Sequence, residues 1–290
     1  MLDVAVIGAG PAGLATAIQL KLYDIDCILY EQNEVGGLLR NANLVENYPG
    51  FPQGITGIDL IKLFKLQLNR INVSISPQRI KLIDVYKDGF ALETEQNLTY
   101  CRHVVLASGT VPKKISIDGI DTQSCERVLT EIHTLLMLES LHVSIIGAGD
   151  AAFDYALNLS KRNKVSIHNR SKHTKCLSHL YNSALANSDI SYYYNSKINR
   201  VLSHKEHLKI EWDNSGDLST KKADYLIIAI GREPNISCLS TDVYEQMSDL
   251  EKRGKFLLVG DVTNGINRQT GISVGDGIAA AMKLNKLLKE

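Results

Sequence analysis

The chain has 290 residues, 44% apolar and 22% charged, with a net charge of +0, and at about 150 residues per domain this length suggests two domains. That balance holds no surplus of either sign to draw nucleic acid or anionic lipid, and the longest apolar runs, such as Tyr225 to Ile230, fall far short of the roughly 20 residues a membrane-crossing helix needs. Five cysteines (Cys27, Cys101, Cys125, Cys176, Cys238) form no Cys-x-x-Cys pair and no zinc spacing, so neither a metal site nor a disulfide framework is expected.

Leu2 to Ile7 reads as the first strand, reached from Met1 without a basic or long apolar leader, which predicts a cytoplasmic protein. It breaks at Gly8-Ala-Gly10-Pro11-Ala12-Gly13 and continues with Leu14, Ala17 and Ile18 at helical spacing, then a second strand, Cys27 to Tyr30. Thr94 to Thr99 and His103 to Leu106 read as strands, the latter ending at Gly109. A connection follows in which Val128 to Leu138 is predicted to be helical. Val143 to Ile146 then repeats the opening: strand, Gly147-Ala-Gly149-Asp150-Ala151-Ala152, helix (Phe153, Ala156, Leu157) and strand Val165 to Ile167. The run Tyr192-Tyr193-Tyr194 reads as a strand with alternating buried and exposed tyrosines rather than as a stacking platform. Ala223 to Gly231 repeats the strand that ends at a glycine, the chain returns to the first domain near Pro234, and Gly254 to Asp261 forms a last strand before an Ala-rich helix from about Gly277.

Each glycine cluster follows a strand and opens a helix, the context a dinucleotide-binding fingerprint requires. The first glycine allows the tight turn and the second admits a pyrophosphate to the backbone. Gly13 or Ala152 permits close helix-strand packing, and the helix N-terminus supplies amide donors. Glu31 and Arg170 each stand 23 positions after their own first glycine, Gly8 and Gly147. A carboxylate in that slot accepts hydrogen bonds from ribose hydroxyls, whereas an arginine suits a 2′-phosphate. The first copy therefore fits FAD, and the second fits NADPH better than NADH, with Lys172 and Lys175 as further cations nearby.

Beyond the fingerprints, Glu31 through Gly36-Gly37, Glu46-Asn47-Tyr-Pro-Gly-Phe-Pro52, Ile230-Gly231-Arg232-Glu-Pro-Asn235, and Gly260-Asp261 with Arg268-Gln269-Thr270 resemble the low-molecular-weight thioredoxin reductase family of flavoproteins over essentially the whole chain. The resemblance implies an α/β protein of two Rossmann-like domains: a discontinuous FAD-binding domain (1–112 plus 236–290) and an NAD(P)H-binding domain (113–235). It implies FAD contacts from Gly8 to Gly13, from Glu31 to Leu38 including Gly36 and Gly37, and from Asn47, Gly109 and Gly260. Asp261 would hold the ribityl chain, and Arg268, Gln269 and Thr270 would line the isoalloxazine. NADPH contacts fall to Gly147, Gly149, Asp150, Ala151, Arg170, Lys175, Gly231 and Arg232. His168-Asn169-Arg170 matches the family's His-Arg-Arg motif except at Asn169, and a homodimer is implied.

The family's redox-active Cys-x-x-Cys is missing, its positions falling on Thr130 and His133. The cysteine that similar bacillithiol disulfide reductases carry inside the first fingerprint is Ala12 here. The sequence therefore points to electron transfer from NADPH through flavin directly to an external acceptor. A ferredoxin- or flavodoxin-like protein is favoured by similar dithiol-free reductases, with quinone, free flavin or oxygen open. His133 is a candidate to act at the flavin. Two other readings stay open: a flavin- and nucleotide-binding redox sensor without turnover, and a flavoprotein whose thiol or reductant comes from a partner protein.

Overall fold

A computed structural model describes residues 2–121, 125–214 and 216–289. The chain divides into two compact units, residues 1–40, 44–111 and 233–290 in the first and 41–43 and 112–232 in the second. Among the described residues no helix is long and apolar enough to cross a membrane.

The first unit begins with β1 (Leu2–Ile7), α1 (Pro11–Leu22), β2 (Cys27–Tyr30), α2 (Gly57–Arg70) and β3 (Ser74–Ser76). It continues through β4 (Leu82–Tyr86), β5 (Gly89–Glu93) and β6 (Leu98–Leu106) to β7 (Thr110–Pro112). Its sheet runs β3-β2-β1-β6-β5-β4, parallel from β3 to β6 and antiparallel from β6 to β4. Both faces of β1 are buried. Val4 and Val6 pack under α1 with Leu14 and Ala17, while Ala5 and Ile7 face Phe90, Leu106 and Val104, which is why this strand reads as an unbroken apolar run.

The second unit contains β8 (Val128–Leu129), β9 (His142–Ile146), α3 (Asp150–Leu159), β10 (Lys164–His168), α4 (Ser178–Leu185) and β11 (Ile190–Tyr193). Then come β12 (Ser196–Ser203), β13 (Leu208–Asn214), β14 (Asp217–Ala223) and β15 (Tyr225–Ile228). A parallel sheet, β11-β10-β9-β15-β8, carries α3 against Val143, Ile145 and Ile227. On its other face, Leu226 and Ile228 pack with Val201, Ile210 and Trp212 of the antiparallel β12-β13-β14 sheet. β16 (Arg232–Pro234) pairs with β7. The first unit then resumes with α5 (Thr241–Lys252), β17 (Phe256–Leu258), which pairs with β6, and α6 (Thr270–Lys289).

Three segments differ from the sequence expectation, each for a local physical reason. Val128 to Leu138 is not a helix. Val128 and Leu129 pair with β15, and His133–Leu135 forms a single 3-10 turn whose Ile132 and His133 amides both donate to Asn41 Oδ1 at 3.0 Å. Thr94 to Asn97 is not strand but the turn joining β5 to β6. Thr94 Oγ1 accepts from the amides of Gln96 (3.2 Å) and Asn97 (2.9 Å), a side-chain competitor to ladder pairing. The last helix starts at Thr270 rather than near Gly277. Gly277 serves close helix packing, since a Cβ there would strike the Ala12 carbonyl of α1. The tyrosine run also departs from the expected alternation of buried and exposed rings: Tyr192, packed on Phe153 (5.6 Å between ring centres), and Tyr193, stacked on His168 (5.2 Å), are both half-buried on opposite faces of β11, and exposed Tyr194 lies in the turn after it.

Candidate functional site

In the first unit, the strand-turn-helix closes on itself before any ligand is considered. Gly8 takes φ +103°, its amide donates to the Tyr30 carbonyl (2.8 Å), and an added Cβ would collide with the Ala107 carbonyl, so only glycine fits. Gly10 is the N-cap of α1. No side chain caps this helix, and an added Cβ would meet nothing within 4 Å, so the backbone borders open space. By contrast, Thr56 caps α2 and Ser240 caps α5 through their hydroxyls. A helix start that no side chain caps, beside open space that a Cβ on Gly10 would enter, suits a pyrophosphate.

Glu31, Gly36, Gly37 and Gly260 lie at that turn, and the other predicted residues of this unit are placed by partners of their own. Glu31 Oε2 accepts from the Ala9 amide (2.7 Å) and Oε1 from the Asn33 amide (2.8 Å). The Gly36 amide donates to the Ala9 carbonyl (2.8 Å), and a Cβ on Gly37 would lie 3.2 Å from Gly10 Cα. Leu38 lies in the 3-10 turn Gly37–Asn41, which Arg40 braces by donating from Nε to the Gly37 carbonyl (2.9 Å). Gly260 comes close to the fingerprint from the far end of the chain, where an added Cβ would sit 2.7 Å from Ala12 Cβ. Asp261 Oδ1 accepts from Ser273 Oγ (3.2 Å). Asn47 Nδ2 donates to Gln269 Oε1 (2.7 Å), beside Arg268 and the first residue of α6, Thr270. The Gly109 carbonyl accepts from the Asn235 amide (3.0 Å). Sequence reading passed over Asp276, whose Oδ2 accepts from the Gly260 amide (3.0 Å) and Asn264 Nδ2 (2.6 Å), and so holds the turn that carries Asp261. Its partners lie 12 and 16 residues away, a separation no local pattern reveals.

The second unit repeats the arrangement. Gly147 has φ +140°, its amide donates to the His168 carbonyl (3.1 Å), and Gly149 is an uncapped N-cap over open space. Asp150 does not face that space alone, because its Oδ1 accepts from the Leu177 amide (2.8 Å); Ala151 is exposed. Thr174 Oγ1 (2.7 Å) and the Lys175 amide (3.1 Å) both donate to the Ala148 carbonyl, which fastens segment 174–177 to the fingerprint turn. Arg170, Lys172 and Lys175 are exposed on the same segment. His168 is core instead: it is buried between Tyr193 and Trp212, its Nδ1 lies 2.8 Å from Ser196 Oγ, and burial, with Lys221 nearby, pushes its pKa down to about 3.

At the end of β15, Gly231 (φ +111°) accepts from the Lys113 amide (3.0 Å). Arg232 Nη2 stands 3.7 Å from Glu131 Oε1, and the other oxygen of Glu131 accepts from Asn41 Nδ2 (3.1 Å) and lies 3.5 Å from His133 Nδ1. His133 therefore neighbours a carboxylate that sequence reading did not single out. Four of the five thiols are poorly placed for exchange chemistry. Burial pushes Cys27 up to about 11 and Cys101 up to about 12. Burial, then the Asp150 carboxylate, pushes Cys176 up to about 12, and Cys238 is raised by burial.

The family profile described as pyridine nucleotide-disulphide oxidoreductase matches residues 2–265. The chain is 27% identical over 306 residues to a thioredoxin reductase of Chlamydia trachomatis, covering 99% of this chain and 98% of that one. It is 26% identical over 314 residues to a 34.2 kDa protein in the rubredoxin operon of Clostridium pasteurianum, covering 99% and 97%. The crystal structure of Lactococcus lactis thioredoxin reductase shares the fold, with a TM-score of 0.87 at 22% identity over 100% of this chain and 99% of that one.

Proposed function

The chain belongs to the pyridine nucleotide-disulphide oxidoreductase family, and from that premise we propose that it is an FAD-dependent NADPH oxidoreductase that delivers electrons to an external acceptor without a redox-active disulfide. The observation that carries this reading is the pair of like-built fingerprint turns with opposite charges just past the strands that follow them, Glu31 directly after β2 and engaged with its own turn, Arg170 two residues after β10 and exposed. The raised thiol pKa values and the absence of any Cys-x-x-Cys from the sequence support the second half.

When bound, FAD supplies the hydride and electron chemistry, so the protein needs to bind, orient and shield. The α1 start from Gly8 to Gly13 would take the pyrophosphate, and Glu31 would accept from ribose hydroxyls beside the amide of Ala9. Asp261, held by Ser273, would meet the ribityl hydroxyls, while Asn47, Arg268, Gln269 and Thr270 would border the flavin ring. The α3 start at Gly147, Gly149, Asp150 and Ala151 would seat the nicotinamide dinucleotide, with Arg170 and Lys175 meeting the 2′-phosphate and Gly231-Arg232 closing the far side. The acceptor we favour is a small electron-transfer protein, a choice supported by the similarity to a protein encoded in a rubredoxin operon.

The test is anaerobic stopped-flow absorbance of the purified flavoprotein mixed with NADPH and, separately, NADH. Rapid bleaching of the flavin band by NADPH, faster than by NADH at equal concentration, is the expected result. Bleaching by neither nucleotide would overturn the proposal and move the weight to a sensor without turnover.

A further inference from the structure

The segment that leaves β10 is shaped by one side chain that faces inward. Asn169 is 5% exposed, whereas Arg170, Ser171, Lys172 and His173 after it are all exposed. Its Nδ2 donates to the His173 carbonyl (3.1 Å) and to Tyr192 Oη (2.9 Å), and its Oδ1 accepts from the Ser171 amide (3.1 Å); Ser171 Oγ, 3.2 Å from that oxygen, shares its one hydrogen with the His173 carbonyl (2.8 Å). Its own amide donates to the Tyr193 carbonyl (2.9 Å), and its carbonyl accepts from the Ser196 amide (2.8 Å). Both carboxamide hydrogens and the oxygen are in use, a set that a carboxylate or an aliphatic chain cannot reproduce. The far end of the segment is fastened to the fingerprint turn by Thr174, Lys175 and Leu177. Between these anchors the chain presents Arg170, Lys172 and Lys175 and no acidic residue. A loop fixed before binding spares the ordering cost, and the ligand group that gains from a fixed set of cations is a phosphomonoester dianion rather than a ribose hydroxyl.

We propose that Asn169 is the positioning residue for 2′-phosphate recognition: it sets NADPH-over-NADH selectivity by holding the Arg170–Lys175 segment in shape without touching the ligand. This rests on the assignment of Arg170 to the 2′-phosphate. Calorimetric titration with NADP+ and with NAD+, alongside steady-state kinetics with the reduced forms, tests it in Asn169→Ala, Asn169→Asp, Tyr192→Phe and Arg170→Ala. Asn169→Ala should weaken NADP+ about tenfold and raise the KM for NADPH in step, with NAD+ within about twofold and kcat held. Asn169→Asp, which keeps the contacts to Ser171 but cannot donate to His173, should fall in between. Tyr192→Phe loses one hydrogen bond while keeping its ring packing, and should cost NADP+ about threefold even if Asn169→Ala folds poorly. Equal weakening of both nucleotides, or no change in the ratio from any Asn169 or Tyr192 variant, overturns the proposal. If Arg170→Ala lowers the ratio while these variants do not, only this inference falls; if Arg170→Ala leaves the ratio untouched, the Arg170 assignment fails and takes it along.

Discussion

Glu31 Oε2 accepts a 2.7 Å hydrogen bond from the amide of Ala9, so the acid at the end of β2 is tied to the middle of the glycine turn it is expected to serve. On the proposed reading, a ribose bound over Gly10 would meet the carboxylate held there. Removing it with Glu31→Ala takes away an acceptor for the ligand and a brace for the turn. FAD retention after purification, read as the ratio of flavin to protein absorbance, should fall several-fold, while the ratio of KM values for NADPH and NADH stays as it was. Undiminished flavin content would remove Glu31 from the site.

The equal spacing from the first glycine does not hold in the fold: the Gly8 amide donates to the Tyr30 carbonyl and the Gly147 amide to the His168 carbonyl, so Asn169 stands where Glu31 does and Arg170 lies one residue beyond, exposed and charged. Arg170→Ala should raise the KM for NADPH by about tenfold, the worth of one charge-assisted contact, and leave the KM for NADH nearly unmoved. The effect should shrink as salt is added, because the pair is solvent-exposed. A parallel rise for both nucleotides would refute the 2′-phosphate role.

Both turns were legible because a short, largely apolar run rich in β-branched residues gives way to helical spacing at a glycine cluster, a signal confined to about 15 neighbouring residues. The misread segments were decided elsewhere. Ile132, Leu135 and Leu136 are spaced as on a helix, yet Asn41, distant in sequence, fixes their backbone as one 3-10 turn. Thr94 looked like a strand residue until its hydroxyl found the amides of a hairpin turn. Asp276 and Glu131 are likewise set by partners brought near only by the fold, whereas Asn169 is held by its near neighbours Ser171 and His173 together with Tyr192 from the next strand.

Two glycines of α6 separate packing from propensity. A Cβ on Gly277 would strike the Ala12 carbonyl and lie 2.9 Å from Thr16 Oγ1, whereas one on Gly275 would meet nothing within 4 Å. Gly277→Ala should destabilise the protein by about 1–3 kcal/mol through overpacking against α1. Gly275→Ala should be neutral or stabilise by up to about 1 kcal/mol through helix propensity. Thermal unfolding of the two variants checks the contrast, and equal midpoints would mean that the helices do not approach as described.

His168 makes stability depend on pH. In the unfolded chain it binds a proton below its ordinary value of 6.5, but in the folded protein burial holds it neutral down to about 3. Unfolding therefore takes up a proton in that window. The contribution is complete above pH 6.5 and is lost as pH falls toward 3, with a slope of up to about 1.4 kcal/mol per pH unit. Denaturant unfolding at pH 7.5 and pH 5 should show the loss in the wild type, and His168→Gln should show a shallower one. Identical slopes would place the acid sensitivity in other groups.

The thiols offer the sharpest test of electron delivery without a dithiol. With Cys27 raised to about 11 and Cys101 and Cys176 to about 12, about one thiol in a thousand or fewer is ionised at pH 8, and the thiolate is the species that attacks a disulfide or an alkylating agent. Treatment with iodoacetamide at pH 8, and separately a Cys125→Ser variant, should leave both flavin reduction by NADPH and turnover with an artificial acceptor such as ferricyanide within about twofold of the untreated protein. Reading the two half-reactions apart is what makes the result decisive. Loss of both would mark damage to the nucleotide or flavin site. Loss of turnover with flavin reduction intact would reveal a thiol between the flavin and the acceptor, and a relay that the sequence spacing does not contain would then have to be assembled from cysteines far apart in the chain.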